Sequence, residues 1–502
     1  MIRKATVEGG VVVGLPAADP RITSFKGIPF AAPPVGENRW RAPQPVIPWE
    51  GELKCWAFAP ISMQHIPGLN PDNIYTREWN VDPSIPMDEN CLYLNVWTPA
   101  KSADEKLPVF VWYFGGGLVE GNPAEMEFDG ERLARRGIVV VTVNYRLNVF
   151  GFLAHPELAA EQPDAPSNFG HLDQQAGTRW VKRNIAAFGG DPDNITIGGQ
   201  SAGGGSVCAQ LTAPQNDGLF QKAIIMSGFS GGVYPSGRFR RISYEEALKQ
   251  GEEFFEFLGV KTLAEARALD AVYVRDKMEA FPKRFGTTAD GVFQTANAAN
   301  NIFKGNRYKV PLIISRTSSE FLSTMPGDTM EEFVENAKKT FGDDAGQFLA
   351  EVGNDLQSAQ AAAKLSGIEV GARALAIRDE ELGIDAPIYY SVFDPSIPGW
   401  DNPGTFHSSD LWFVFETLAK CWRPFKGFHM DLARQMCNYW ANFVKSGDPN
   451  GEDNDGAAMP VWAPITAKEP YAMWFRDDGP CCGIDEPSSV VALSVKKYLE
   501  IM

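Results

Sequence analysis

The chain reads as an α/β protein built on one large, mostly parallel sheet with helices on both faces. Three observations carry that reading. Apolar, β-branched runs recur without polar alternation, the pattern of strands covered on both sides. Helix-compatible stretches stand between them. A glycine-flanked serine, Gly199-Gln200-Ser201-Ala202-Gly203, joins one apolar run to a small-residue stretch through a sharp turn.

Taken in order, Leu92–Trp97, Leu107–Phe114 and Ile138–Tyr145 read as the first strands, the third being apolar almost throughout. Asn194–Gly198, Lys222–Ser227, Val310–Ser315 and Pro387–Phe393 follow. Asp173–Ala187 is a covering helix. Met430–Phe443 is another, with Leu432, Met436, Tyr439 and Phe443 at spacings of three and four. Residues 240–285 and 329–382 are charged, helix-prone insertions. They are expected as helical caps over the C-terminal edge of the sheet, where open α/β sheets bind ligands. No repeat, low-complexity linker or composition boundary divides the chain, so 1–502 is expected to be one domain.

Composition narrows the function classes. Hydrophobic content of 44% and charged content of 22% are those of a globular domain. A net charge of −17 argues against nucleic-acid phosphates and anionic membrane surfaces as partners. No apolar stretch approaches the roughly 18 residues of a membrane span. The segment Met1–Glu8 lacks the apolar core of a signal peptide. The seven cysteines are scattered and odd in number, unlike a disulfide scaffold. Cys481-Cys482 has no Cys-x-x-Cys companion, which argues against zinc. A cytoplasmic protein is expected. Oligomeric state is left open.

The strand, turn and helix around Ser201 form the context of a nucleophile elbow, the mark of α/β-hydrolase architecture. Its serine backbone is strained and crowded, so glycine is needed two residues before and after it. An activated serine needs a base, and the base an orienting carboxylate. In this architecture the chain order is serine, acid, histidine. That order eliminates His65, His155 and His171. His429 opens a helix and reads as solvated or capping. His407, in the loop Gly404–Asp410 beyond the last expected strand, the run at 387–393, is the base. Glu320, closing the loop Arg316–Glu320 after the strand at 310–315, is the acid. Asp394 competes, but it follows the same strand as His407. Phe114-Gly115-Gly116-Gly117 closes an upstream strand, and three glycines let main-chain N–H groups turn toward a substrate oxygen. The expected oxyanion donors are the amides of Gly116, Gly117 and Ala202. Phe114, Phe229, Phe321 and Trp412 suggest an apolar or aromatic pocket.

These residues together resemble the type-B carboxylesterase family, which includes cholinesterases and para-nitrobenzyl esterases. The likeness spans nearly the whole chain. It includes Phe25–Pro34 with Arg39-Trp40, Glu89–Val96, Asn144–Leu147, and Asn184–Pro192 running into Gly199–Gly204. The resemblance implies an α/β-hydrolase fold, a Ser201-His407-Glu320 triad, and oxyanion donors at Gly116, Gly117 and Ala202. It implies no metal or organic cofactor. The implied reaction is hydrolysis of a small-molecule ester through an acyl-enzyme. The same machinery also serves amides, lactones or carbamates. A cholinesterase-like binding protein with a decayed site is the contrasting class, but such relatives lose a triad member and this chain keeps all three.

Four departures from the family stand out. Gln200 replaces the glutamate that often precedes the nucleophile, which argues against choline esters and makes Gln200 part of the pocket wall. Phe321 stands where glycine usually follows the acid. His407 is followed by Ser408 rather than glycine. Cys91 matches half of a disulfide of secreted members, but its expected partner position holds Ser62, with Cys55 nearby and displaced. That pattern fits a reducing compartment.

Overall fold

Every residue of Val139–Val143 is buried, and the neighbouring strand Leu107–Tyr113 is buried from Val109 onward. Each such side chain contributes about 1.5–3 kcal/mol on leaving water, and a strand dry on both faces must lie inside a sheet. The computed structural model describes residues 1–66, 72–78, 82, 84–229, 231–235 and 242–502. Among them an eleven-stranded sheet forms the centre of the molecule. Its strands, in chain order, are β1 (Leu15–Pro16), β2 (Thr23–Pro29), β3 (Tyr93–Thr98), β4 (Leu107–Tyr113), β5 (Val139–Val143) and β6 (Gly190–Gln200). Then come β7 (Lys222–Met226), β8 (Leu312–Thr317), β9 (Ile388–Phe393), β10 (Tyr471–Arg476) and β11 (Gly479–Ile484).

The spatial order is β11-β10-β9-β8-β7-β6-β4-β5-β3-β2-β1. Strands β5, β4, β6, β7, β8, β9 and β10 pair in parallel. The two edges are antiparallel. A small separate sheet joins Lys4–Val7, Gly10–Val13 and Glu52–Lys54. The predicted strands all appear, with ends moved by a few residues. One expectation needs correction: the run at 387–393 is not the last strand. β10 and β11 lie beyond it, so the His407 loop leaves an interior strand. β10 mixes Tyr, Met, Trp and Arg, and β11 is Gly-Pro-Cys-Cys-Gly-Ile; neither carries the β-branched signature of a buried strand.

Helices α1 (Phe169–Asn184) and α2 (Ala202–Thr212) flank β6. In the segment 240–285, whose first two residues lie outside the described residues, helices cover Tyr244–Leu258, Leu263–Arg267 and Ala271–Ala280. Ser243 and Glu246 start the first by capping each other's main-chain N–H groups. In 329–382 the helices are Met330–Phe341, Ala345–Val352, Leu356–Ala362 and α3 (Gly367–Glu381). α3 lies against β8 and the C-terminal helix Ser489–Ile501. The predicted helix at 430–443 is part of α4 (Gly427–Ser446), with Leu432, Met436, Tyr439 and Phe443 all buried. Among the described residues no helix is long and apolar enough to cross a membrane.

Candidate active site

Ser201 sits between β6 and α2 with φ 57° and ψ −123°, a conformation that side chains rarely adopt. Main-chain bonds hold it there: its N–H donates to the Met226 carbonyl at 2.9 Å, and its carbonyl accepts from Gly205 N at 2.9 Å. The flanking glycines answer to crowding. A Cβ at 199 would lie 2.4 Å from main-chain atoms of Gly203, and one at 203 would lie 2.1 Å from the Tyr113 carbonyl oxygen.

Glu320 and His407 come together across 87 positions of sequence: the Nδ1 of His407 donates to Oε2 of Glu320. The other carboxylate oxygen, Oε1, accepts from Ser227 Oγ at 2.7 Å and from the Thr317 N–H at 2.8 Å. Glu320 is fully enclosed and His407 only partly, so the imidazole is the exposed end of the pair. Among the described residues Ser201 Oγ makes no hydrogen bond to the ring. The amide of the adjacent Gln200 faces it instead, with Nε2 at 3.3 Å from Nε2 and 3.5 Å from Nδ1 of His407. Catalytic hydrogen bonds are commonly loose without substrate.

The glycine loop passes directly over the elbow. A Cβ at 115 would lie 3.1 Å from Ser201 Cβ and 2.8 Å from the Gln200 carbonyl oxygen. Gly116 and Gly117 have φ of 97° and 65°. The Gly116 carbonyl accepts from the N–H groups of Val119 and Glu120. The N–H groups of Gly116, Gly117 and Ala202 have no acceptor among the described residues.

The aromatic candidates separate. The Phe321 ring lies on the imidazole of His407, centroids 4.3 Å apart. Phe114 is fully buried and stacked on Tyr145 at 4.2 Å, beneath the glycine loop. Phe229 stacks on Phe303 at 5.9 Å within the core. Trp412 is buried, its indole N–H donating to Glu78 Oε1 at 3.1 Å. The eliminated histidines have other work. His65 pairs with Glu120 at 2.9 Å, and His155 Nδ1 accepts from the Glu157 N–H. His171 is buried against Gln174 and Thr287. His429 caps α4 by accepting from Lys426 N at 2.9 Å. Asp394 faces Arg476 at the surface.

Two residues of this region escaped the sequence reading. Ser227 follows β7 and bonds Glu320, but a serine at a strand end has no motif. Asp410 is buried with Oδ1 lacking a hydrogen-bond partner among the described residues. Burial, then the charge of Glu320, pushes its carboxyl up to about 8. At neutral pH it is a neutral acid near the Glu320 charge. Ser62 and Cys91 line one small cavity, and Ser62 Oγ donates to the Tyr145 carbonyl at 2.6 Å. Cys91 and Cys55 are buried free thiols, each pushed up to about 12 by burial.

A model described as the carboxylesterase family matches residues 2–481, and the chain belongs to that family. It is a carboxylic ester hydrolase with the α/β-hydrolase fold. Among its relatives, a para-nitrobenzyl esterase of Bacillus subtilis is 32% identical, over 89% of each chain. A fumonisin B1 esterase of Sphingopyxis macrogoltabida is 31% identical over 86% of this chain and 80% of its own length. A mouse cholinesterase is 30% identical over 92% and 82%. A solved PNB esterase superposes with a TM-score of 0.79 at 28% identity, covering 99% of both chains. The Geobacillus stearothermophilus carboxylesterase gives 0.76, also at 28%, covering 98% of this chain and all of the other.

Proposed function

We propose that Ser201, His407 and Glu320 are the nucleophile, base and acid of this ester hydrolase. The observation that carries the reading is the hydrogen bond between Glu320 and His407, formed from two distant loops beside a strained serine. Ser201 Oγ attacks the ester carbonyl while His407 Nε2 accepts its proton. Glu320 keeps the Nδ1 proton in place and stabilises the imidazolium. The oxyanion faces the amides of Gly116, Gly117 and Ala202, where one such donor is typically worth about 3–4 kcal/mol in the transition state. The imidazolium then protonates the leaving alcohol. Water, activated by the same ring, cleaves the acyl-enzyme and restores Ser201.

Gln200 presents an amide rather than a carboxylate to this site, which gives a cationic alcohol no counter-charge there. The seven free thiols support a reducing, cytoplasmic setting. The helical segments at 240–285 and 329–382 would act as caps within one domain.

Ser201→Ala tests the assignment. It is expected to lower ester turnover by about 10⁴-fold or more and to abolish covalent labelling by a fluorophosphonate. Undiminished turnover would remove Ser201 from the mechanism.

A further inference from the structure

Arg284 belongs to the charged segment 240–285, and its guanidinium lies over the glycine loop. A Cβ built on Gly117 would stand 3.0 Å from Arg284 Nη2, so the absence of a side chain at 117 leaves that space to the guanidinium. The main chain of Arg284 is anchored on both sides. Its carbonyl accepts from the buried Gln250 amide at 3.0 Å. The next residue, Phe285, is buried against Phe254 at 5.2 Å and Phe281 at 5.8 Å. The side chain itself is exposed, and among the described residues it has no hydrogen bond and no carboxylate within 4.0 Å.

Glu120, whose main chain closes the turn over Gly116, is paired with His65 at 2.9 Å. Gln200 is neutral. Among the described residues Arg284 is therefore a cation with no paired carboxylate at the rim of the site, in a chain whose net charge is −17. A guanidinium offers planar, paired donors that match a carboxylate.

We propose that Arg284 forms an anion subsite beside the glycine loop and that the enzyme's substrates are esters bearing a free carboxylate. The proposal rests on the assignment of Ser201 as nucleophile. Gly115 backs onto Ser201 and Gly117 lies two residues on, a reach of at most about 7 Å. The free carboxylate thus sits roughly two to four carbons from the scissile carbonyl. It is carried by the acyl or by the alcohol part.

The test compares kcat/KM for matched pairs of esters. Mono-4-nitrophenyl glutarate against 4-nitrophenyl pentanoate places the charge on the acyl side. 4-Acetoxybenzoate against its methyl ester places it on the alcohol side. The wild type is expected to favour the charged member of one pair, which identifies the side. Arg284→Gln is expected to lower that charged-to-neutral ratio about tenfold, and Arg284→Lys to retain part of it. Added salt should erode the preference in the wild type and not in Arg284→Gln. A ratio unchanged within twofold in both pairs would overturn the proposal. Glutarate binding, measured by calorimetry, gives a readout independent of turnover: about tenfold weaker in Arg284→Gln supports the subsite, equal affinity refutes it. Undiminished ester turnover in Ser201→Ala, with glutarate binding still dependent on Arg284, would instead sink the assignment of Ser201.

Discussion

Around Ser201 every neighbour that must make room is a glycine: a Cβ at 199, 203 or 204 would press on main-chain atoms of Gly203, Tyr113 or Met226. Around His407, Phe321 at φ 43° and Ser408 at φ 77° stand where glycine would be unstrained. Both halves use left-handed backbone, yet only one insists on glycine. The difference is crowding. A left-handed residue costs about 1–2 kcal/mol, which a large domain absorbs. Main chain packed at 2–3 Å cannot be moved aside. In the His407 loop the main chain is less crowded at its one glycine: a Cβ on Gly404 would meet only the Ser319 side chain, at 3.5 Å.

The sharpest way to break this contrast is Gly203→Ala. Its Cβ is directed at the Tyr113 carbonyl, and a loss of about 3 kcal/mol is expected in urea unfolding, with activity falling alongside. Gly205→Ala is the control. It has nothing within 4 Å and lies in α2, so it should stabilise by about 0.5–1 kcal/mol. Equal losses in both variants would mean that crowding is not the cause.

On the His407 side the next largest effect concerns Asp410. Its carboxyl rises from 3.8 to about 8 in the folded state. Between those values the folded state holds a proton that the unfolded state has released, so stability declines as pH rises from about 4 to about 8. Asp410→Asn removes that contribution. Unfolding free energies measured across this range should show a shallower slope, with a gain that is absent below pH 4 and grows to its full size at pH 8. Glu125, buried and raised to about 7, contributes a slope of the same sign and remains in the variant.

The smallest effect is Ser408→Gly. The hydroxyl makes no hydrogen bond among the described residues, so relief of the left-handed backbone should dominate, raising stability by about 0.5–1 kcal/mol in thermal unfolding. A destabilised variant would show that the Ser408 side chain packs in a way its conformation conceals.

Much of this was legible in the chain itself. Buried parallel strands announce themselves through β-branched runs, as Val139–Val143 does. The elbow announces itself through glycines that steric crowding requires. Chain order then selected His407 and Glu320, which the structure joins by a hydrogen bond. What stayed hidden depends on proximity rather than pattern. Ser227 and Asp410 are ordinary residues until Glu320 lies beside them. Arg284 is one charge among many until it meets Gly117, 167 positions earlier in the sequence. Aromatic residues near the site in sequence were equally uninformative: Phe321 lies on His407, whereas Phe114, Phe229 and Trp412 lie in the core.

The segment beginning at Ser62 touches both halves. Gln64 exchanges hydrogen bonds with Gly121, at the end of the glycine loop. Further along, Glu78 is buried against Arg423 at 2.8 Å, and Arg423 holds Asp401 at 3.0 Å, close before His407. No covalent crosslink closes this strap, because Ser62 stands opposite Cys91. A perturbation that loosens both of these contacts therefore reaches the glycine loop and the loop before His407 together, and heat inactivation should proceed as one concerted event.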